Sequence, residues 1–411
     1  MITETATPVT VQQILQHYHK ASNHPHVQHV ITQIKKCKTS ELGYHLYKCS
    51  DDDCAQYKYQ YHGCRNRHCP QCGGFKKDEW IEDRRRELLP VGYYHVVFTL
   101  PHELNTIMLG NRQPLFKLLF NASAQTLLAF GNDEHHLGAA PGIISVLHTW
   151  GQDLNFHPHV HCIVSGGGTV KNTDGSYSWK NAKRIKDNFL FPVSAMRIVF
   201  RAKFLQGLKS LNENKLIQLP EAYNLQHLLH ILYKKKWNLY AKAPCAGPQQ
   251  VIEYLGRYTN KVAISNYRIM DNQNGNVLFN YKDYADGNTT KLMTLKGQEF
   301  VRRFEQHILP KRFTKIRSYG YLSNRGRTIR MEKITAAMDI PPHPLKVKTP
   351  WPVRLFEKFG IKHTTCPHCK KESLELVWVN YPDTMDKKKN DSSPFSNTRR
   401  QDAVEIVYND S

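Results

Sequence analysis

Residues 147 to 164 read Leu147-His148-Thr149-Trp150-Gly151-Gln152-Asp153-Leu154-Asn155-Phe156-His157-Pro158-His159-Val160-His161-Cys162-Ile163-Val164. The run Ile143-Ile144-Ser145-Val146 leads into the first half, and both halves have the apolar texture of buried strands. The short turn between them, Gly151 to Phe156, predicts an antiparallel hairpin at the centre of a sheet. Side chains alternate along a strand, so His159 and His161 leave it from one face. Two neutral imidazoles side by side can hold a divalent cation with one more ligand and leave positions open for substrate. Taken alone, such a pair is more often hydrogen-bonded or simply on the surface. The chain also carries a look-alike, His24-Pro25-His26-Val27, which lacks the third histidine and precedes the helix-like Val30-Ile31-Thr32-Gln33-Ile34-Lys35-Lys36. That copy is read as structural.

A second pattern lies downstream in Tyr254-Leu255-Gly256-Arg257-Tyr258-Thr259-Asn260-Lys261. Tyr254 and Tyr258 are four apart and Lys261 is three further on, which puts all three on one face of a helix. By itself a tyrosine pair at that spacing is more often packing than chemistry.

The chain has 411 residues, enough for two or three domains with ample core. Its 57 lysines and arginines face 35 acids, a formal charge of +22 that suits a polyanion, nucleic acid first. The charge is spread through Arg84-Arg85-Arg86, Lys234-Lys235-Lys236, Lys311-Arg312 and the 325–330 region. Aromatic residues interleave with it, as a surface that neutralises phosphates and stacks unpaired bases requires. No stretch of about 18 apolar residues occurs, and the N-terminus lacks a signal-peptide pattern. The expectation is a cytoplasmic protein, nucleoid-associated when bound to DNA, with no membrane partner.

In that compartment ten cysteines point to metal rather than disulfides. Cys49 and Cys54 flank the acidic turn Asp51-Asp52-Asp53, and Cys64-Arg65-Asn66-Arg67-His68-Cys69-Pro70-Gln71-Cys72 follows. Two thiolate pairs about 15 residues apart can hold zinc tetrahedrally and staple a ribbon too small for its own core. Cys49, Cys54, Cys69 and Cys72 are the expected structural zinc ligands, with Cys64 and His68 as alternatives to any one of them. Near the end, His363-x2-Cys366-Pro367-His368-Cys369 is either a second zinc site or a remnant.

The remaining texture places helices over 10–36, 103–132 and 193–215, and a buried strand over Tyr93-Tyr94-His95-Val96-Val97-Phe98-Thr99. The glycine-rich Ser165-Gly166-Gly167-Gly168-Thr169 is expected to end the histidine strand, and a polar, disordered tail is expected beyond about 375. A helix bearing the tyrosines is expected to start near Pro248, and short strands with a basic helix around Phe300 over 262–330. The reading is α+β: an N-terminal helical and zinc-ribbon-like module over 1–88, an antiparallel sheet with packed helices over 89–335, and a Cys-x2-Cys segment with its tail over 336–411.

With these pieces in order, the chain resembles the IS91-type rolling-circle transposases of the HUH endonuclease superfamily. The resemblance runs over roughly residues 10 to 370 in CRNRHCPQC, YYHVVFTLPHEL, LHTWGQDLNFHPHVHCIVSGGG, YAKAPCAGP, YLGRYTNKVAISNYRI and HILPKRFTKIRSYGYLSNRGR. It implies that His159 and His161 are metal ligands and that Tyr254 and Tyr258 are the nucleophiles of the two-tyrosine branch. For the third ligand His148 is preferred, because the hairpin partner strand can bring it beside the pair; Gln152 and His157 stay open.

The resemblance further implies Mg²⁺ or Mn²⁺ at the histidines, zinc in the cysteine block, and nicking and rejoining of single-stranded DNA at element ends. The intermediate would be a 5′-phosphotyrosine. Lys261 would either help ionise a phenol or contact a phosphate. Host replication proteins are possible partners, and oligomeric state is not legible. The alternatives are a replication initiator or relaxase using the same chemistry, and a non-catalytic zinc-dependent DNA-binding protein. No Walker-type Gly-x4-Gly-Lys-Ser/Thr occurs, which argues against a built-in helicase.

Overall fold

The histidine stretch lies in the middle of a six-stranded antiparallel sheet in the computed structural model, which describes residues 9–72, 81, 84, 87–182, 190–221, 223–245, 256, 262–284, 286–341 and 349–382. Along the chain the strands are β1 (Tyr44–Cys49), β2 (Tyr57–Tyr61), β3 (Tyr93–Thr99), β4 (Ala140–Trp150), β5 (Phe156–Lys171), β6 (Tyr177–Asn181), β7 (Leu239–Cys245), β8 (Ile269–Gln273), β9 (Asn276–Asp283), β10 (Thr289–Lys296), β11 (Ile316–Tyr319) and β12 (Leu374–Asn380). The helices are α1 (Val11–Tyr18), α2 (Pro25–Lys35), α3 (Asn105–Gly110), α4 (Arg112–Asn132), α5 (Val193–Glu213), α6 (Leu225–Lys234), α7 (Gly297–Gln306), α8 (Arg327–Ala337) and α9 (Trp351–Phe359). The α+β class expected from the sequence is the class observed.

Two compact units form, each discontinuous in sequence: Met1–Cys37 with Cys64–Thr349, and Lys38–Gly63 with Pro350–Ser411. They do not follow the linear division at 88 and 335, because β12 near the C-terminal end pairs with β1. The first unit holds the six-stranded sheet, ordered β11-β4-β5-β3-β7 with β6 pairing β5.

Alternation along the strands gives this sheet two different faces. Val160, Cys162 and Val164 of β5 join Val96 and Phe98 of β3 and Ile143 and Leu147 of β4 in the main core, against Phe116 and Phe120 of α4 and Phe200 and Phe204 of α5. Each such side chain fully buried contributes about 1.5–3 kcal/mol. On the opposite face Tyr93, Ile144, Val146 and Ile163 pack with Tyr321 and Leu322 and with Met331 and Ile334 of α8. Further along the same alternation the positions are His95, His148, His159 and His161.

A separate core of the same unit joins α1, α2 and α7 to the meander β8–β10 through Ile14, Ile31, Phe279, Phe300 and Phe304. α1 begins at a capping box in which Thr10 and Gln13 satisfy each other's backbone N–H. α2 begins at Pro25, so the look-alike histidines lie at a helix start, where His26 Nε2 meets the Leu309 carbonyl at 3.1 Å. The second unit is the three-stranded sheet β12-β1-β2 with α9. Among the described residues, no helix is long and apolar enough to cross a membrane.

Two expectations are corrected. The glycines at 166–168 do not end β5, which runs on to Lys171 and pairs β6 from Gly167 onward. A Cβ at Gly167 would stand 2.4 Å from the Trp179 ring, so the bare backbone there makes room for an aromatic partner. The chain beyond 375 is also not all tail, because Leu374–Asn380 is strand β12. The tyrosine-helix expectation, with Tyr254, Tyr258 and Lys261, falls outside the described residues; only Gly256 of that stretch is described, and it is helical.

Two predictions concern stability. Gly320 has φ +62°, and a Cβ there would lie 1.6 Å from the Pro141 carbonyl oxygen. Gly320→Ala is therefore expected to cost at least about 1–3 kcal/mol through backbone strain alone. It should lower the thermal midpoint; an unchanged melt would contradict this packing.

His307, at the end of α7, braces the hairpin loop: its Nε2 donates to the Leu154 carbonyl at 3.0 Å, and its Nδ1 lies 3.3 Å from Thr149 Oγ1. Burial holds it down to about 4 from the ordinary 6.5. Between those values the unfolded chain binds a proton that native His307 refuses. Stability present above about 6.5 is then lost as pH falls toward 4, by about 3 kcal/mol in all. His307→Gln should flatten the acid side of a melting-temperature profile between pH 6.5 and 4. A variant as acid-sensitive as the parent would refute the assignment.

Candidate functional site

The register of the central hairpin sets the histidine geometry. His148 of β4 lies directly opposite His159 of β5, and Val146 lies opposite His161. Directly opposed residues of an antiparallel pair have Cβ atoms about 5 Å apart, so the cross-strand imidazole reaches the His-x-His pair. The ligand atoms of His148, His159 and His161 all fall within 4.8 Å of one another. His148 and His161 are buried and His159 is half-buried.

Hydrogen bonds orient two of these rings. His159 Nδ1 lies 2.7 Å from the His157 carbonyl and donates to it, so in the neutral ring the lone pair is on Nε2. His161 Nδ1 lies 2.9 Å from His95 Nε2, and the two rings stack at 5.2 Å and 8°. Burial, helped by Lys242 and then His159, pushes His95 down to about 3, so it is neutral near pH 7 and can accept the His161 N–H. That again leaves Nε2 unprotonated, the arrangement a metal-binding histidine needs. The third ring, His148, stacks on Trp150 at 4.7 Å, and Lys315 Nζ sits 5.0 Å from the Trp150 ring centre.

The alternatives for the third position lie elsewhere. The Gln152 side-chain amide donates to Tyr284 Oη at 3.0 Å, and the Gln152 backbone carbonyl accepts from Arg268. His157 serves through its carbonyl, while its ring stays outside the three-membered group. His95 is the residue that sequence reading missed. Its signal was its place in β3, where it faces Ile163 and lies diagonally from His161 on the same sheet face.

The cysteines make two clusters where one was expected. Cys69 and Cys72 converge with Cys37 and Cys64, while Cys49 and Cys54 converge with Cys366 and Cys369. The four cysteines expected to share a site are thus split two and two. Around one zinc ion, four sulfurs at about 2.3 Å stand roughly 3.8 Å apart. In the first cluster the Sγ separations are 3.4 Å for Cys37–Cys72, 3.6 Å for Cys37–Cys69 and 3.8 Å for Cys64–Cys72, so the donor set fits.

The crowded thiols of this cluster shift one another in opposite directions, Cys64 and Cys69 up and Cys37 and Cys72 down. Hydrogen bonds from Cys64 and then Cys69 hold Cys37 down to about 7, and those from Cys37, Cys64 and Cys69 hold Cys72 lower still. His68 is not part of either group. It accepts the Leu309 N–H at 3.3 Å, and burial keeps it well below the usual imidazole range. Cys37 was not foreseen, although three cysteines within 64–72 leave one position to fill and Cys37 follows α2 just upstream.

Comparison with known proteins agrees with this division of labour. Residues 10–100 match the family model described as a transposase zinc-binding domain, and residues 142–329 match the one described as a putative transposase. The putative transposase y4qJ of Sinorhizobium fredii is 39% identical over 360 residues, covering 85% of this chain and 88% of that protein. The transposase for insertion sequence element IS801 of Pseudomonas savastanoi pv. phaseolicola is 31% identical over 333 residues, 78% of this chain and 75% of that one. Among solved structures, the conjugative relaxase TrwC in complex with mutant oriT DNA aligns at 19% identity with a TM-score of 0.22, over 38% of this chain and about half, 51%, of that one. A superposition that poor carries no argument. The two relatives do, and the two family models agree with them: the chain belongs to the IS91-type transposases.

Proposed function

We propose that this transposase nicks and rejoins single-stranded DNA at the ends of an insertion element, through a 5′-phosphotyrosine formed on Tyr254 or Tyr258. The observation that carries the reading is the convergence of His148, His159 and His161 beside His95, on the sheet face that also carries Tyr93, Ile144, Val146 and Ile163. Three imidazoles whose ligand atoms lie within 4.8 Å of one another fit a divalent cation with open positions for water and a phosphate oxygen. Imidazole favours softer metals than Mg²⁺, so Mn²⁺ should serve at least as well. When bound, the cation polarises a non-bridging oxygen of the scissile phosphate.

The chain's own groups do the rest. A tyrosine oxygen attacks phosphorus, the bond to the 3′ oxygen breaks, and the phenol proton ends on the free 3′-OH. Near pH 7 a phenol with a pKa of about 10 is mostly protonated, so it needs a neighbouring charge. Lys261, three residues beyond Tyr258, supplies that charge or holds a phosphate. With two tyrosines, one can keep the first 5′ end while the other cuts at the far terminus. Each phosphotyrosine keeps the energy of the broken phosphodiester, so rejoining needs no ATP. Cys37, Cys64, Cys69 and Cys72 hold a structural zinc in the N-terminal segment, and the basic 300–330 region contributes to end recognition, with host replication proteins as possible partners.

Labelled single-stranded oligonucleotides spanning the element ends test this on a denaturing gel with Mn²⁺, Mg²⁺ or EDTA. The expected product is a metal-dependent, SDS-resistant adduct, lost in the Tyr254→Phe/Tyr258→Phe double variant and reduced at least about 100-fold in His161→Ala. DNA binding without any adduct under either metal would sink the proposal.

His95 acts through His161 rather than on substrate. Its removal should weaken metal affinity roughly 10–100-fold. In a Mn²⁺ titration, His95→Ala should need that much more metal while approaching the parent rate at saturation, and His95→Gln should recover part of the affinity. A lower rate at saturating metal with unchanged affinity would exclude the positioning role.

A further inference from the structure

We infer that the chain holds a second zinc ion, bound by Cys49, Cys54, Cys366 and Cys369, which fastens β12 to the N-terminal ribbon. The inference is independent of the nicking chemistry. The Sγ atoms of Cys49 and Cys369 are 3.7 Å apart and those of Cys54 and Cys366 are 3.8 Å apart. These match the roughly 3.8 Å edge of a tetrahedral zinc–thiolate site. No S–S bond joins any of them. Cys366 and Cys369 lie well past residue 100, where the match to the zinc-binding model ends.

The backbone at the four sulfurs supports the same conclusion. In the first turn Cys54 N–H donates to the Asp51 carbonyl at 3.0 Å, and Cys49 N–H to the Gln56 carbonyl at 2.9 Å. In the second, Cys366 N–H donates to the Lys371 carbonyl at 2.8 Å and Lys370 N–H to the Cys366 carbonyl at 3.0 Å. Each turn puts the residue after its second cysteine in the left-handed region, Ala55 at φ +46° and Lys370 at φ +64°. The first cluster shows the same device at Lys38 (φ +58°) after Cys37 and Arg65 (φ +53°) after Cys64. Non-glycine residues there cost about 1–2 kcal/mol each, which something local must offset.

Apolar burial does not supply that offset in the second unit. Among the described residues, the cluster around the site has Cys49, Cys366 and Leu374 as its buried members, and Leu42 is buried elsewhere in the unit. On the sheet Tyr57, Tyr59, Tyr61 and Trp378 remain exposed. A core this small cannot order three strands by burial alone, which is the circumstance in which small modules use metal. Ser373 fits as support: its Oγ lies 2.9 Å from Cys49 Sγ and 3.7 Å from Cys369 Sγ, and a hydroxyl there can donate to thiolates.

The test uses the full chain. Elemental analysis of purified protein should give two zinc ions per chain, and Cys366→Ser/Cys369→Ser should give one. Because that variant can misfold, the parent protein is also alkylated with N-ethylmaleimide, with and without a strong chelator, and mapped by mass spectrometry. Cys49, Cys54, Cys366 and Cys369 should be protected together and exposed together by chelation. One zinc per chain, iron in place of zinc, two zinc ions retained by the double variant, or alkylation of Cys366 and Cys369 while Cys49 and Cys54 stay protected would each overturn the inference.

Discussion

The pairing of β4 with β5 is the constraint on which the candidate site depends. Side chains on a strand alternate with period two, so a slip of one residue would send His159 and His161 into the main core and turn Val160 and Cys162 outward. The register is therefore enforced from the helix side, where Phe116, Phe120 and Phe200 share a core with Val160, the residue between the two histidines. The convergence of the histidines follows from apolar packing on the opposite face of the sheet. His95 adds a third strand to the arrangement, so the four histidines are held from three adjacent strands rather than from one loop.

The hairpin and its partner strand were legible because their signal is local. A run of apolar residues, a short turn and a second run fix which residues face each other within a residue or two, and from this His148 beside His159 was expected and found. The helices within 103–132 and 193–215 followed periodic signals of the same local kind. The glycine run misled because glycine marks loops on average, while here it marks the close approach of Trp179 to the strand. His95 escaped because its partner is 66 residues away and diagonal to it, and neither relation leaves a periodic trace.

The cysteines show where local reading stops. Spacing suggested that neighbouring pairs close on each other, the usual habit of a short ribbon. Instead the Cys69–Cys72 pair is completed by Cys64 and by Cys37 at the end of α2, and the Cys49–Cys54 pair by residues more than 300 positions away. Sulfur spacing identifies metal-binding turns well but carries no information about which turns meet. That choice is made here by strand pairing, since β1 aligns Cys49 with Leu374 of β12 and so carries the Cys366–Cys369 turn to it.

The same pairing gives the second unit a direction in time. Cys54 emerges from the ribosome 312 residues before Cys366, a delay of roughly 15–60 s at ordinary rates of synthesis. Over that interval β1 has β2 on one side and an open edge on the other, with two thiols beside it. A ribosome that stops short of residue 366 releases a chain whose central sheet is complete but whose ribbon edge stays bare. Closure of the four-cysteine cluster thus waits until synthesis has passed Cys369.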